Sequence, residues 1–287
     1  MMCLKFNEKT GRPCGQCRAC RLNQQSEKAL RIMNEAQDHE KGVFVTLTYS
    51  PENLPENGSL VRKDIQDCLK RMRRRVEPDE LRIVGCGEYG DLGLRPHYHL
   101  IVFGVDMQDR RLFRNLRYVR SHDVYYCDCP FWKFGFTSVG KVNDARMAYV
   151  AKYCVKKITG KAAKEHYGDR LPEFFISPRR PGLGANYCDK HSERIKRDLF
   201  LSVKGKKRPL PRYYVDRLGK DDERWKYDRS FKVRESQDET YEVKLREKLE
   251  EMASRNGWTQ AMKDYQEQRT RNIAMRDYMK GNKTKNV

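Results

Sequence analysis

The chain has 287 residues, of which 60 are Lys or Arg and 40 are Asp or Glu, so its formal net charge is +20 at pH 7. The longest apolar run, 100–105, is far shorter than the roughly 20 residues of a membrane-spanning helix, so we expect no membrane partner. Aromatic residues make up 10% of the chain, which argues against a wholly disordered protein. Residues 221–287 hold 16 basic and 14 acidic side chains, so the first 220 carry nearly all of the positive excess. An excess of this size favours a polyanionic partner such as nucleic acid.

Hydrophobic periodicity and turn residues predict a mixture of helices and strands. Helices are predicted over 26–39, 59–75, 108–120 and 144–158, and alternating charges predict one or two more within 235–281. Strands are predicted over 43–49, 81–89, 97–103, 123–127 and 136–142. The segment from 172 to about 220 is basic and rich in turn residues, and it is predicted to be irregular.

The order of these elements predicts the fold class. The strands 81–89 and 97–103 are separated by a short turn, so they form a hairpin. Adjacent strands mixed with helices indicate an α+β fold, in which helices flank a central antiparallel sheet of about five strands. We expect four parts: a Cys-rich segment, a main domain, a basic irregular extension that contacts DNA, and a charged helical tail, over 1–25, 26–165, 166–220 and 221–287.

A pair of histidines on the third predicted strand is the first candidate site. His97 and His99 are two residues apart, so their imidazoles point to the same face of a strand. Glu88 lies on the partner strand of the hairpin and adds a carboxylate. Three such ligands leave positions open for water and a phosphate oxygen, as a Lewis-acid metal site requires. We predict that these residues bind a divalent metal; the alternative is that two structural histidines alternate by chance.

Two tyrosines on the predicted helix 144–158 are the second candidate. Tyr149 and Tyr153 lie one turn apart, and at 100° per residue both fall away from the apolar stripe, on the side that carries Lys152. One interpretation is a nucleic-acid face on which bases stack. The other is a pair of phenolic nucleophiles, which flanking lysines such as Lys152 help to activate.

The cysteines near the start of the chain are the third candidate. Cys14, Cys17 and Cys20 follow one another at two-residue gaps, and Cys3 lies within reach of a loop. Four thiolates would complete a tetrahedral structural zinc site, although a disulfide or an iron–sulfur cluster stays open. The start of the chain does not read as a secretory signal, so we expect these thiols to remain reduced. Cys127 or Cys129 could replace Cys3 as the fourth ligand.

Clusters of basic residues complete the candidate sites. Because they recur in the part of the chain that holds the histidines and tyrosines, we expect them to follow a DNA backbone. The residues that we assign to DNA binding are Arg73, Arg74, Arg75, Lys156, Lys157, Arg179 and Arg180. The sequence has no match to the phosphate-binding loop of ATPases, which argues against a built-in helicase.

These motifs resemble a known family. The strand 44–48, the histidine segment 95–104 and the tyrosine segment 149–153 are similar, in this order, to the three motifs of the two-tyrosine HUH rolling-circle replication initiators. The likeness is greatest to the initiators of the Microviridae, small single-stranded DNA phages, and in particular to the gokushovirus group. Further likenesses to that group are the segments 13–20, 87–90 and 179–184.

The resemblance implies an endonuclease on a five-stranded antiparallel sheet. His97 and His99, with Glu88 as a third ligand, would hold Mg²⁺ or Mn²⁺ against the scissile phosphate of single-stranded origin DNA. Tyr149 and Tyr153 would be the nucleophiles that form a 5′-phosphotyrosyl link. The freed 3′-hydroxyl would then prime synthesis by a host DNA polymerase, aided by a host helicase, in the cytoplasm of the host cell.

Two other functions stay open at this point. The first is a two-tyrosine transposase or relaxase, which uses the same chemistry. The second is a zinc-containing nucleic-acid-binding protein without catalysis, which explains the charge and the cysteines. That second hypothesis leaves the Glu88, His97 and His99 arrangement and the paired tyrosines as coincidences.

Overall fold

An antiparallel sheet of seven strands forms the centre of the computed structural model. The structure describes residues 6–7, 12–76, 81–90, 93–153, 158, 161–226, 228–229, 232–233, 254 and 260. The chain divides into two compact units, 1–220 and 221–287, and the sheet belongs to the first. The helices predicted within 235–281 lie almost wholly outside the described residues.

The strands and helices of the first unit alternate along the chain. The strands are β1 Phe6–Asn7, β2 Arg12–Pro13, β3 Gly42–Tyr49, β4 Arg82–Tyr89, β5 Pro96–Phe103, β6 Arg114–Val119, β7 Val124–Asp128, β8 Gly135–Lys141, β9 Phe174–Ile176, β10 Phe200–Val203 and β11 Lys206–Pro209. The helices are α1 Arg18–Ala36, α2 Arg62–Arg73, α3 Asp144–Tyr153, α4 Lys161–Tyr167, α5 Ala185–Lys190, α6 Ser192–Asp198 and α7 Arg212–Leu218. Among these described helices, none combines the length and the apolar character needed to cross a membrane.

The strands of the central sheet follow the order β6-β7-β8-β3-β5-β4-β9, and every neighbouring pair is antiparallel. Separate two-stranded ladders join β1 to β2 and β10 to β11. All five predicted strands are present in the central sheet, and the predicted α+β class is confirmed.

Each face of the sheet is covered by its own hydrophobic cluster. Alternate residues of β5 point to opposite faces. On one face, Tyr98, Leu100 and Val102 pack with the buried side of α2. On the other face, Ile101 and Phe103 pack with α1 and α3. The sheet is therefore the middle layer, with α2 on one side and α1 and α3 on the other.

The helix predicted over 108–120 is wrong, because part of this segment is the strand β6. Asp106 and Asp109 accept hydrogen bonds from the backbone N–H groups of Gln108 and Arg111. Such local bonds favour turns over a helix. The chain then enters β6, which pairs with β7 through a bulge.

The segment from 172 to 220 is also more ordered than predicted. It contributes β9 to the edge of the central sheet, followed by three short helices and the β10–β11 hairpin. These elements have three to seven residues, too few for a periodic pattern to identify. With β6, β9 accounts for the two strands beyond the predicted five. The boundaries expected at 25 and 165 both fall inside helices, α1 and α4.

A buried ion pair joins this later segment to the sheet. Glu35 of α1 accepts a hydrogen bond from Arg82 of β4 at 2.6 Å and another from the backbone N–H of Gly184 at 2.5 Å. Arg82 also donates to the carbonyl oxygens of Pro181 and Gly182. Burial acts to raise the pKa of Glu35, but hydrogen bonds with His39, Arg82 and Gly184 outweigh it and lower the pKa to about 2.

We predict that Glu35→Gln lowers the free energy of unfolding by about 3 kcal/mol, because it leaves the mostly buried guanidinium of Arg82 without its charge partner. The folded-state pKa is below the ordinary 4.5, so the carboxylate stabilises the fold above that pH. The difference between wild type and variant should therefore shrink as the pH falls from 4.5 towards 2. Urea titrations at several pH values measure it.

The exposed pair Lys63–Asp67 provides the control. Asp67→Asn should leave the urea midpoint unchanged, because solvent screens that pair. Equal effects of the two substitutions would contradict the assigned role of Glu35.

Candidate active site

The register between β4 and β5 brings a carboxylate and two imidazoles together. Glu88 is directly opposite His97, and His99 follows two residues along the same face of β5. Tyr98, between them, points to the opposite face, where its hydroxyl binds the backbone of Val61. Gly85 lets the strands approach here, because a Cβ at that position would collide with the carbonyl oxygen of His99.

One carboxylate oxygen is the centre of the cluster. Glu88 Oε1 lies 2.7 Å from His97 Nε2 and 2.9 Å from His99 Nε2. The Glu88 side chain is only 2% exposed. Its second oxygen, Oε2, is also buried and has no hydrogen-bond partner among the residues that the structure describes.

The other nitrogen of each imidazole is held by a neighbour. His97 Nδ1 lies 3.0 Å from the carbonyl oxygen of Arg95, and His99 Nδ1 lies 3.0 Å from Thr46 Oγ1. A carbonyl oxygen only accepts hydrogen bonds, so Nδ1 of His97 carries a proton. In a neutral imidazole, Nε2 then presents its lone pair to Glu88. Such a lone pair facing a carboxylate requires either a further proton or a cation between them.

The charges of these groups suit a cation. Burial acts to raise the pKa of Glu88, but its hydrogen bonds with His97 and His99 outweigh burial and lower the pKa to about 2. Burial lowers the pKa of His99, and the opposing charge of Glu88 does not cancel this effect. An ionised carboxylate and a neutral imidazole are the forms that coordinate metals.

The two tyrosines of α3 extend the cluster. The Tyr149 hydroxyl donates a hydrogen bond of 2.8 Å to Glu88 Oε1, and it lies 3.5 Å from His99 Nε2. The Tyr153 hydroxyl donates a hydrogen bond of 2.9 Å to the Tyr149 hydroxyl. Burial, and then the negative charge of Glu88, raises the pKa of Tyr149. Tyr149 is therefore a neutral phenol in this arrangement, and attack by its oxygen requires activation.

The position of the tyrosines on α3 differs from the prediction that both lie away from the core. Tyr153 is buried with Met147, Val150 and Ala151, and Tyr149 is half-buried against the same cluster. The helical angles were sound, but the buried arc is wider than the apolar stripe. It extends to the tyrosines because the polar floor beneath them is the histidine cluster itself.

The residues Glu88, His97 and His99 could hold a divalent cation. Their ligand atoms all lie within 4.8 Å of one another. Two imidazoles and a carboxylate leave coordination positions for oxygen ligands from a substrate. The unpartnered oxygen of Glu88 supports the same conclusion, since a buried carboxylate oxygen without a donor is costly unless it binds a cation.

The cysteines form a second possible metal site. The Sγ atoms of Cys14, Cys17 and Cys20 lie within 4.8 Å of one another at the start of α1. Gly15, with a positive φ of 72°, makes the turn between the first two, and the backbone N–H of Cys17 points at Cys14 Sγ. Cys3 lies outside the described residues. Cys127 and Cys129 belong to the core on the α2 side, not to this cluster.

The predicted DNA-binding residues are placed less uniformly. Arg73 ends α2, and Arg73 to Arg75 are exposed on the layer opposite to the histidines. Arg179 and Arg180 are exposed just before the loop that Glu35 and Arg82 hold beside α1. Lys156 and Lys157 lie outside the described residues.

Two residues of the site were missed, and so was the isolation of Lys152. Thr46 and Arg95 hold the imidazoles, yet the sequence singles out neither for that role. Thr46 lies on a predicted strand, but its pairing with β5 spans more than fifty residues and leaves no local signal. Lys152 is half-buried on α3 and makes no hydrogen bond to any residue that the structure describes.

A sheet that presents one carboxylate, two imidazoles and two phenols at a single point is typical of metal-dependent enzymes that act on phosphates. Comparison with known proteins narrows the class. Residues 42–158 match the family model of the replication-associated protein ORF2. This range contains β3, β4, β5 and α3, and hence the whole cluster around Glu88.

Phage proteins are similar over most of the chain. The Replication-associated protein VP4 of Bdellovibrio phage phiMH2K is 30% identical over 235 residues, which cover 77% of this chain and 72% of the relative. The Replication-associated protein ORF2 of Spiroplasma virus 4 is 29% identical, with 85% and 74% covered. The Replication-associated protein ORF4 of Chlamydia phage 1 is 29% identical over 72% of this chain, which spans about half of that relative, 53%.

The chain belongs to this family of phage replication-associated proteins, as a rolling-circle initiator of the Microviridae type. The family resemblance seen in the sequence is thereby confirmed, and with it a role in the initiation of phage replication. No solved structure matches the chain.

We predict that the purified protein binds one Mn²⁺ at the cluster and that Glu88→Gln weakens this binding at least about tenfold, because it removes the central carboxylate charge. Isothermal titration with the metal alone measures the affinity. Glu193→Gln, which changes an exposed carboxylate on α6, should leave it unchanged. Equal Mn²⁺ affinities for wild type and Glu88→Gln would rule out this site.

Proposed function

We propose that the chain is a single-stranded DNA endonuclease and strand transferase of the two-tyrosine HUH kind. It would nick the phage origin and leave a 5′-phosphotyrosyl link and a free 3′-hydroxyl. The observation that carries the proposal is the convergence of His97, His99 and Tyr149 on one oxygen of Glu88, with Tyr153 bonded to Tyr149. A purely structural cluster would not need two phenols beside three metal-type ligands.

Glu88, His97 and His99 are the residues that would hold Mg²⁺ or Mn²⁺. A bound divalent cation would polarise a phosphodiester and offset the charge that develops on it. Thr46 and Arg95 fix the outer nitrogen of each imidazole, so that both Nε2 atoms face the site. The nearly complete burial of Glu88 keeps its charge unscreened by water.

The tyrosines carry the exchange of bonds. The phenolic oxygen of one tyrosine attacks the phosphorus and forms an O–P bond, while the bond from phosphorus to the 3′-oxygen breaks. The phenol gives up its proton and the departing 3′-oxygen takes one up, so no proton is consumed overall. One phosphodiester replaces another, and the same step in reverse rejoins the strands.

The second tyrosine allows the reaction to end as well as to begin. A tyrosine that is esterified to the 5′ phosphate cannot attack again until it is released. The second phenol is one turn away on α3, with its ring centroid 4.7 Å from the first. Both can therefore reach one phosphate position after a modest shift.

The surroundings of the site complete the proposal. Exposed arginines, Arg73 to Arg75 on one layer and Arg179 and Arg180 on the other, would contact the DNA backbone together with Lys156 and Lys157. We assign Lys152 a supporting electrostatic role near the phenols. A host helicase and DNA polymerase would act on the nicked DNA inside the host cell. The cysteines would hold a structural Zn²⁺, with Cys3 as the fourth ligand.

We predict graded behaviour of the tyrosines. Tyr149→Phe or Tyr153→Phe alone should still form a covalent adduct with single-stranded origin DNA of the phage, but fail at repeated cleavage and rejoining. The double variant should bind DNA yet form no adduct, because no phenolic oxygen remains at the site. Denaturing gels, and peptide mapping of the adduct, measure this.

Tyr118→Phe is the matched control, because Tyr118 is an exposed tyrosine on β6 away from the site, and it should behave as wild type. An adduct formed by the double variant would contradict the assignment. A wild type that binds DNA but forms no adduct with Mn²⁺ present would support a binding protein without catalysis.

We also predict one tightly bound zinc per chain. Cys17→Ser should lower the zinc content and the yield of folded protein, because the thiolates close a structural site. It should alter the rate of adduct formation per folded molecule far less. Cys129→Ser should retain zinc. Metal analysis that finds iron, or no zinc, in the wild type would overturn this assignment.

A further inference from the structure

The part of the sheet next to the site is left uncovered by the helices. On the histidine face, α3 covers Phe44 and Ile101, and the guanidinium of Arg146 lies over Phe44 and against Gly140. The rows of residues beyond this point carry Thr46, Thr48 and Ser138, which are only partly buried. They form a floor of small hydroxyl side chains.

Two exposed aromatic side chains stand at the far side of this floor. Phe136 on β8 is 56% exposed, and Tyr126 on β7 is 44% exposed. On the opposite face of the same strands, Val139 and Cys127 are buried in the core. The exposure of the aromatic rings is therefore a property of this face and not of the strands as a whole.

The strand register shows that these residues share the face of the site. Thr48 is directly opposite both His97 and Phe136 on its two neighbouring strands. Ser138 is opposite both Thr46 and Tyr126. Residues directly opposite each other in an antiparallel pair point to the same face. Two unbroken rows thus run from the histidines to the exposed rings.

The rows also set the distances. Neighbouring strands are about 4.8 Å apart, so Phe136 lies about 10 Å from His97, and Tyr126 lies about 14 Å from His99. The next strand places the exposed Arg117 opposite Tyr126. A strand of DNA that crosses this surface from the site would meet hydroxyls, then rings, then a cation.

We propose that Thr46, Thr48, Tyr126, Phe136 and Ser138 form an aromatic platform that binds the bases of single-stranded DNA beside the scissile phosphate. The proposal rests on the function proposed above and specifies how that site holds its substrate. Bases stack on Phe136 and Tyr126, the hydroxyl floor allows the strand to lie flat, and Arg117 contacts the backbone.

The chemistry of the surface favours single-stranded DNA over a protein partner. An aromatic ring displayed on a sheet face offers a flat surface to any base, and stacking of this kind needs no particular sequence. Paired bases in a duplex present no free face to the rings. The platform is also continuous with the cluster around Glu88, where the phosphate must sit.

The test compares two probes of equal length, a fluorescein-labelled oligothymidylate and a labelled abasic strand that keeps the sugar-phosphate backbone. Fluorescence anisotropy gives the dissociation constants. Phe136→Ala, and separately Tyr126→Ala, should raise the constant for oligothymidylate at least about fivefold. Neither should change the constant for the abasic strand by more than about twofold, because that strand binds through its phosphates.

Two further variants control for shape and fold. Phe136→Trp keeps a stacking ring and should retain wild-type affinity for oligothymidylate. Tyr118→Ala removes a ring that is 53% exposed but lies on the opposite face, opposite Tyr125, and should leave both constants unchanged. Both ring truncations are at exposed positions, so we expect the fold to persist, which circular dichroism measures.

The outcomes separate this proposal from the proposed function. A wild type that binds neither probe would contradict the function itself. A wild type that binds and cleaves single-stranded DNA, with Phe136→Ala and Tyr126→Ala unchanged on oligothymidylate, would overturn the platform alone. Equal losses on the oligothymidylate and the abasic strand would overturn it too, because the rings would then not contact bases.

Discussion

The antiparallel register of β4 on β5 is the constraint on which the rest of the site depends. It sets Glu88 opposite His97 and leaves His99 on the same face. Because side chains alternate along a strand, a slip of one residue would turn both imidazoles into the tyrosine-rich core and expose Tyr98 instead. The hydroxyl of Tyr98 opposes such a slip, since it bonds to Tyr49 and to the backbone of Val61.

The two faces of the sheet divide the work of stability and chemistry. The α2 face is a continuous core in which Tyr49, Tyr98 and Trp132 pack edge to face. The other face buries apolar residues only where α1 and α3 cover it. At the border of that cover, Glu88 is nearly inaccessible while the tyrosine hydroxyls still reach it. A low local polarity strengthens each charge interaction there.

The docking of α3 decides which groups meet the carboxylate. Val150 and Ala151 anchor the helix against the sheet, and this anchoring carries the Tyr149 hydroxyl to 2.8 Å from Glu88. On the same face, the sheet extends beyond α3 as an open surface that ends in Phe136 and Tyr126. Catalytic groups and the proposed base-binding surface are therefore built on one rigid element, which keeps their spacing constant.

The sequence by itself determined the α+β class, the five strands first predicted, and the gathering of Glu88, His97 and His99, because these follow from short-range alternation and a local hairpin. It could not determine that 114–119 is a strand or that β9 joins the sheet, because local turn bonds and a three-residue length hide those elements from periodicity. Only the tertiary structure decided that Thr46 holds His99, that both tyrosines turn towards Glu88, and that Phe136 shares the face of His97. Each of these depends on pairing or packing between residues far apart in the chain, which no local pattern encodes.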